Sequence, residues 1–173
     1  MNRIQIRKLA LAGILIAVGV TCSPFSIPVG ASKCFPIQHM VNVLAAVLLG
    51  PWYGVGMAFI TSLIRVSLGT GSLLAFPGSM CGALSCGLVF HFTGKLYAAY
   101  IAEIFGTGVI GGLMAYPIAV FFMAREAVLF AYVMPFLVST IGGTLIAAVL
   151  ITALQKTHVI ERYFPADTGG NLR

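Results

Sequence analysis

The sequence predicts an all-α integral membrane protein with six transmembrane helices and a long first outer loop. Hydrophobic residues make up 60% of the 173 positions and charged residues only 8%, and the mean hydropathy is +1.03. A soluble domain of this composition would expose more apolar surface than monomeric proteins tolerate. Apolar runs continue along the whole chain, so the basic, apolar N-terminus is interpreted as a retained helix and not as a cleaved signal peptide. The ten Lys and Arg residues are scattered, which argues against a nucleic-acid-binding face.

Turn-forming residues divide the first half of the chain into three helices. The first runs from about Arg7 to Thr21, and the prolines and glycine of the following loop, CSPFSIPVGASKCFP, cannot continue it. The second covers about Ile37 to Leu49, and the third about Trp52 to Leu68 after the breaker GPW. The second helix reaches only roughly 20 Å, whereas the hydrocarbon core measures roughly 30 Å. We therefore expect the preceding loop either to dip into the membrane or to sit in a depression among helices, which is a first indication of a pocket.

The second half of the chain holds three longer apolar segments, predicted as helices at about Leu74 to Phe92, Leu96 to Phe121 and Val128 to Leu154. Pro117 is expected to kink the fifth helix near its end. Residues 1–160 are predicted to form one transmembrane domain, and residues 161–173 a short cytoplasmic tail.

Positive charges fall unequally on the two sides of the predicted bundle. With six spans both termini share one side, where we place Arg3, Arg7, Lys8, Lys95, Lys156, Arg162 and Arg173. The opposite side receives Lys33, Arg65 and Arg125. Because cytoplasmic loops carry an excess of Lys and Arg, both termini are predicted to be cytoplasmic.

A few polar side chains stand where apolar residues are expected, mostly toward the outer half of the bundle: Lys33, Gln38, His39, Asn42, Arg65 and Glu103. Gln38 and Asn42 are four residues apart and His39 and Asn42 three, so they share one flank of a helix. A charge at the bilayer centre costs about 2.5–3.5 kcal/mol, and such groups usually face the bundle and mark function. Neighbouring hydrogen-bonding side chains also need partners once buried, which favours a binding site.

Structural roles remain open for the charged residues. Instead of contacting a ligand, Arg65 and Arg125 could be interfacial side chains that anchor helix ends. Glu103 alternatively pairs with Lys95 or with a buried hydroxyl. Aromatic residues near helix ends suit an interfacial belt, and a few facing a pocket would suit a flat aromatic ligand.

Catalysis and metal binding are not indicated. The chain has no HExxH or GxSxG motif, no paired carboxylates on one helix face and no CxxC pair. It also lacks a Walker motif, so it cannot hydrolyse ATP by itself, and no cofactor or metal is expected. Cys22 and Cys34 flank the long loop, and a disulfide between them is left open because it depends on an oxidising side.

Small residues recur at helix-packing spacing, in the pairs Gly13 and Ala17, Gly54 and Ala58, Gly78 and Gly82, and Gly108 and Gly112. Most are expected to pack the bundle internally, because small side chains let helices approach closely in lipid. On the first helix they could instead present a smooth outer groove to a partner protein.

The stretch PVGASKCFPIQHMVNVLAAVLLGPWYGVGMAFITSLIRVSLGTGSLLAFPGSMCGAL resembles the thiazole-specific S component, the ThiW family, of energy-coupling factor (ECF) vitamin transporters. The resemblance implies an S-component-like bundle that binds the thiamine precursor 4-methyl-5-(2-hydroxyethyl)thiazole. It also implies a transmembrane coupling protein and two ATPase subunits as partners in the bilayer. Family members contact the coupling protein through small residues of helix one, at the positions that here read Ala10, Gly13 and Ala17.

The resemblance further implies a ligand near the outer face, under the first loop. Lys33 to Asn42 would then form a lid and wall, His39 or Asn42 would hydrogen-bond the thiazole nitrogen or the hydroxyl, and Tyr116 or Trp52 would stack on the ring. Arg65 and Glu103 complete the predicted substrate-binding set. Two cations and a histidine beside a neutral ligand leave alternatives open, namely an anionic thiazole or another vitamin precursor, or a stand-alone membrane carrier.

Overall fold

The computed structural model describes residues 3–29, 32–124, 126 and 128–157. These residues form six helices, which we number α1 Arg3–Thr21, α2 Pro36–Leu49, α3 Pro51–Ser67, α4 Ala75–Thr93, α5 Leu96–Phe122 and α6 Val133–Lys156. The prediction of six helices is confirmed, and most boundaries agree within a few residues. The sixth helix begins five residues later than predicted, because residues 129–132 form turns. The proposed tail, residues 161–173, and Arg125 lie outside the described residues.

Four helices of the described chain, α1, α4, α5 and α6, are long and apolar enough to cross a bilayer. α2 is apolar but has only 14 residues. It packs against all five other helices, and every residue from Gln38 to Leu49 is buried. A helix surrounded by protein has no lipid-facing side, so it need not match the hydrocarbon thickness. α2 is therefore enclosed by its neighbouring helices from Gln38 to Leu49.

α2 and α6 approach too closely for a side chain at one contact point. A Cβ on Gly143 of α6 would lie 2.7 Å from the Cβ of His39 and 2.9 Å from the backbone nitrogen of Met40. Such an approach brings the backbones of the two helices into van der Waals contact, as small residues do in membrane bundles. It fixes His39 at the interface between α2 and α6.

The long connection between α1 and α2 contains a β-hairpin, the one departure from an all-α fold in the described residues. β1 Ile27–Val29 pairs antiparallel with β2 Ser32–Cys34, and Pro28 lies opposite Lys33. The base of the hairpin is fixed to α6, since Cys34 Sγ donates to the Pro135 carbonyl over 3.1 Å and the Phe35 amide donates to Ser139 Oγ over 2.7 Å. Cys22 and Cys34 are both free thiols.

α5 is not a uniform α-helix. Two π-helical segments, Gly106–Gly111 and Ile118–Phe122, interrupt it, and the second follows directly after Pro117. A proline removes a backbone donor, so a local change of helix type at Pro117 agrees with the expected irregularity. The first π segment was not expected from the sequence. Segments of this kind occur frequently at functional sites.

Candidate functional site

The amides of α2 begin a chain of hydrogen bonds to α3 and α4. Gln38 Nε2 donates to Ser62 Oγ over 3.1 Å, and the Ser62 and Ser79 hydroxyls lie 3.0 Å apart. Asn42 Nδ2 donates to the Ser79 carbonyl over 3.2 Å, and Ser79 Oγ donates to the Ala75 carbonyl over 2.7 Å. The donors therefore run in one direction, from Gln38 through Ser62 to Ser79. We call Gln38, Asn42, Ser62 and Ser79 the amide chain.

His39 begins a second chain that leads to α5. Its Nδ1 lies 3.3 Å from Glu103 Oε1, and the Thr107 hydroxyl lies 3.1 Å from the same carboxylate oxygen and 3.2 Å from the Gly78 carbonyl. Glu103 is completely buried, and its Oε2 has no hydrogen-bond partner among the described residues. Thr107 lies in the first π segment of α5. We call His39, Glu103 and Thr107 the carboxylate chain.

Gly82 of α4 provides the space for the carboxylate chain. A Cβ at this position would lie 2.8 Å from both Glu103 carboxylate oxygens and would clash with the Thr107 hydroxyl. The structure confirms one of the alternatives for Glu103, a contact with a buried hydroxyl. Pairing with Lys95 is wrong, because Lys95 is exposed and its Nζ lies 5.9 Å from the Tyr97 ring.

Arg65 of α3 is completely buried and has no polar partner for its side chain among the described residues. Its Cζ lies 3.9 Å from the centroid of the Phe35 ring, a cation–π geometry. Nε, Nη1 and Nη2 all lack a hydrogen-bond partner among the described residues, as does the hydroxyl of Thr61 one turn earlier. An interfacial side chain would keep its charged head in water, so full burial excludes that alternative for Arg65.

The remaining predicted substrate-binding residues are not brought together with the two chains. Lys33 is exposed on β2, and Trp52 is 76% exposed on the first turn of α3. Trp52 lines an apolar groove between α1 and α3 together with Gly13. Tyr116 is half-buried on α5 and belongs to neither chain. The predicted partner-binding residues Ala10, Gly13 and Ala17 are exposed along one stripe of α1.

Sequence reasoning did not single out Ser62 and Ser79, which link the amides of α2 to α3 and α4. Ser62 lies three residues before Arg65, and Ser79 lies between the small residues Gly78 and Gly82. Hydroxyls at such positions are a weak signal, because serine in a membrane helix often bonds only to its own backbone. Two more buried hydroxyls without partners in the described chain, Thr140 and Thr144, occupy one face of α6.

Comparison with known proteins gives one match for this chain. The family model described as thiamine-precursor transporter protein (ThiW) covers residues 9–157. The matched range begins in α1, ends just after α6 and includes every member of the amide and carboxylate chains. No curated protein and no solved structure matches the chain.

Proposed function

This chain belongs to the ThiW family of thiamine-precursor transporter proteins, and from that premise we propose that it is the substrate-binding S component of an ECF-type ABC transporter for hydroxyethylthiazole. Membership of the family makes it a multi-pass membrane transporter and not an enzyme. The proposal adds the identity of the thiazole substrate, the ATP-driven partners, six membrane crossings and cytoplasmic termini.

The observation that carries the proposal is the pair of buried hydrogen-bond chains around α2. The carboxylate chain leaves one buried acceptor without a donor among the described residues, Oε2 of Glu103. Buried polar groups normally have partners, so an open acceptor beside the polar side chains of α2 supports a ligand that supplies a donor. The hydroxyl of hydroxyethylthiazole is such a donor. We propose that His39 or Asn42 hydrogen-bonds the hydroxyl or the ring nitrogen of the ligand.

The hairpin is proposed as the lid over this site. The connection that contains it is held near both ends. Near its start, the Ser23 and Thr70 hydroxyls form a 2.9 Å hydrogen bond, and near its end Cys34 and Phe35 form hydrogen bonds to residues of α6. The exposed Lys33 lies between these hydrogen bonds. A loop fixed at both ends can open its central part without loss of the helix packing, which supports a role in ligand entry.

The exposed stripe of α1 supports contact with a coupling protein. Ala10, Gly13 and Ala17 are exposed, with Gly13 at the edge of the groove to α3, and the buried residues of α1 are Ala12, Leu15 and Gly19 on its other side. No atom lies within 4 Å of the position that a Cβ on Gly13 would take. In lipid, such a small-residue surface lets a second helix approach closely. We propose that the transmembrane coupling protein packs here and that two cytoplasmic ATPase subunits act through it.

Calorimetric titration of the detergent-purified protein tests the substrate. Hydroxyethylthiazole is the ligand, and thiamine and the pyrimidine precursor are the controls. Binding of the thiazole alone is the expected result, and binding of only thiamine or the pyrimidine precursor would overturn the thiazole assignment.

Reconstitution into proteoliposomes tests the proposed class of transporter. Uptake of thiazole is expected only when the coupling protein, both ATPase subunits and ATP are present. Uptake by the purified chain alone would replace the S-component proposal with a stand-alone carrier.

A further inference from the structure

Arg65 carries a positive charge that no described residue neutralises. The chain contains only four acidic residues, Glu103, Glu126, Glu161 and Asp167. Glu103 contacts His39 and Thr107, and Glu126 is exposed, while the other two follow the last described residue. The described residues therefore give Arg65 no carboxylate partner. A buried guanidinium without an acceptor is costly, so a partner from outside the chain is indicated.

The surroundings of Arg65 leave its guanidinium N–H groups without acceptors among the described residues. Its Cζ lies 3.9 Å from the centroid of the Phe35 ring, and the Phe35 backbone is held by its 2.7 Å hydrogen bond to Ser139 Oγ. A cation–π contact stabilises the charge but satisfies none of these N–H groups with an oxygen acceptor. Those N–H groups match the two oxygens of a carboxylate or phosphate in a bidentate pair.

A second feature at this place also favours an anion. α2 begins directly after Phe35, at Pro36. The amino-terminal end of a helix carries partial positive charge, so it adds to the field of Arg65. Phe35 brings this helix end and the guanidinium together.

The guanidinium also adjoins the proposed thiazole site. Gln38 lies three residues after Phe35 on α2, and Ser62 lies three residues before Arg65 on α3, and these two are hydrogen-bonded to each other. The Phe35–Arg65 contact and the Gln38–Ser62 bond are therefore neighbouring rungs between the same two segments, about one helical turn apart. A ligand whose ring contacts the amide chain would place a substituent beside Arg65.

We infer that Arg65 binds an anionic substituent, a carboxylate or a phosphate ester, on the thiazole precursor, so that anionic thiazoles bind more tightly than the neutral alcohol. This inference rests on the proposed function, since it names the charge of the ligand in the same site. It requires that the orphaned N–H groups of Arg65 receive their acceptors from the ligand.

Titration of the full-length, detergent-purified protein with four probes tests the inference. The probes are hydroxyethylthiazole, its phosphate ester, a thiazole carboxylate and inorganic phosphate. We expect at least one anionic thiazole to bind about tenfold or more tightly than the alcohol, because hydrogen bonds to charged groups are the stronger class. The two anionic arms distinguish a phosphate from a carboxylate, and inorganic phosphate alone is expected to bind more weakly than either.

Variants of Arg65 show where the preference arises. Arg65→Gln is expected to remove the tenfold preference for anionic thiazoles over the alcohol. Arg65→Lys is expected to retain part of it, since a lysine keeps the charge but not the bidentate geometry. Lys95→Gln is the matched control: it removes an exposed cation outside the site and is expected to retain the full preference.

The outcomes separate the two proposals. If the alcohol binds at least as tightly as both anionic thiazoles, the anion site is wrong and the thiazole transporter stands. If no thiazole binds, the proposed function itself fails. Binding of inorganic phosphate with Arg65 dependence, without binding of any thiazole, would also overturn the inference. The ranking of ligands by the wild-type protein decides the question even if Arg65→Gln fails to fold.

Discussion

Gly82→Ala is expected to destabilise the protein through one added methyl group. Its Cβ would lie 2.8 Å from both carboxylate oxygens of Glu103 and would clash with the hydroxyl of Thr107. The carboxylate cannot retreat freely, because Oε1 is held by His39 at 3.3 Å and by Thr107 at 3.1 Å. Relief of the clash therefore requires the carboxylate chain to separate.

The expected loss in the free energy of unfolding is the sum of three contributions. Overpacking a well-packed core costs about 1–3 kcal/mol. Loss of two hydrogen bonds adds about 1–3 kcal/mol at the usual net value for each. The higher helix propensity of alanine returns about 1 kcal/mol. We expect a net loss of about 3 kcal/mol in the free energy of unfolding, within a range of about 1–5 kcal/mol.

Chemical unfolding in detergent micelles measures the effect, and titration with hydroxyethylthiazole measures binding by the same sample. Gly56→Ala is the matched control, because Gly56 is exposed on α3 and nothing lies within 4 Å of the added Cβ. The control is expected to be as stable as the wild type or more stable by up to about 1 kcal/mol. If Gly82→Ala is as stable as Gly56→Ala and binds thiazole normally, the packing argument for Glu103 and Thr107 is refuted.

Four further tests are shorter. Asn42→Ala should weaken thiazole binding by about tenfold, roughly one lost hydrogen bond, without lowering the yield of folded protein; unchanged affinity in titration would remove Asn42 from the site. Arg65→Gln should raise the melting temperature of the ligand-free protein, since an unpaired buried ion costs several kcal/mol and a cation–π contact returns only about 0.5–2 kcal/mol; a lower melting temperature would indicate a structural role. Gly13→Leu should reduce co-purification with the coupling protein and leave thiazole binding unchanged, whereas normal co-purification would exclude this stripe as the contact. Burial raises the pKa of the Cys34 thiol, and Cys34 is 1% exposed, so a maleimide should label Cys22 much faster than Cys34 at neutral pH; equal rates, followed by mass spectrometry, would contradict the buried hairpin base.

The helices could be predicted because their signals are local. Apolar runs bounded by proline, glycine and polar residues fix where a helix begins and ends, and the short length of α2 already indicated an unusual position. Spacing along α2 also grouped Gln38, His39 and Asn42 on one helix. The structure divides this group, since the two amides reach α3 and α4 while His39 reaches α5. Spacing within one helix cannot tell which neighbouring helix each side chain meets.

The sequence by itself determined the membrane class, the six helices and the family, since composition, hydrophobic runs and motif order are properties of the chain alone. Only the tertiary structure decided the partners of the polar residues. The contact of Glu103 with His39, the burial of Arg65 against Phe35 and the distance of Trp52 from both chains depend on how the helices rotate and cross. That arrangement is set by close packing between segments far apart in sequence, which no local pattern encodes.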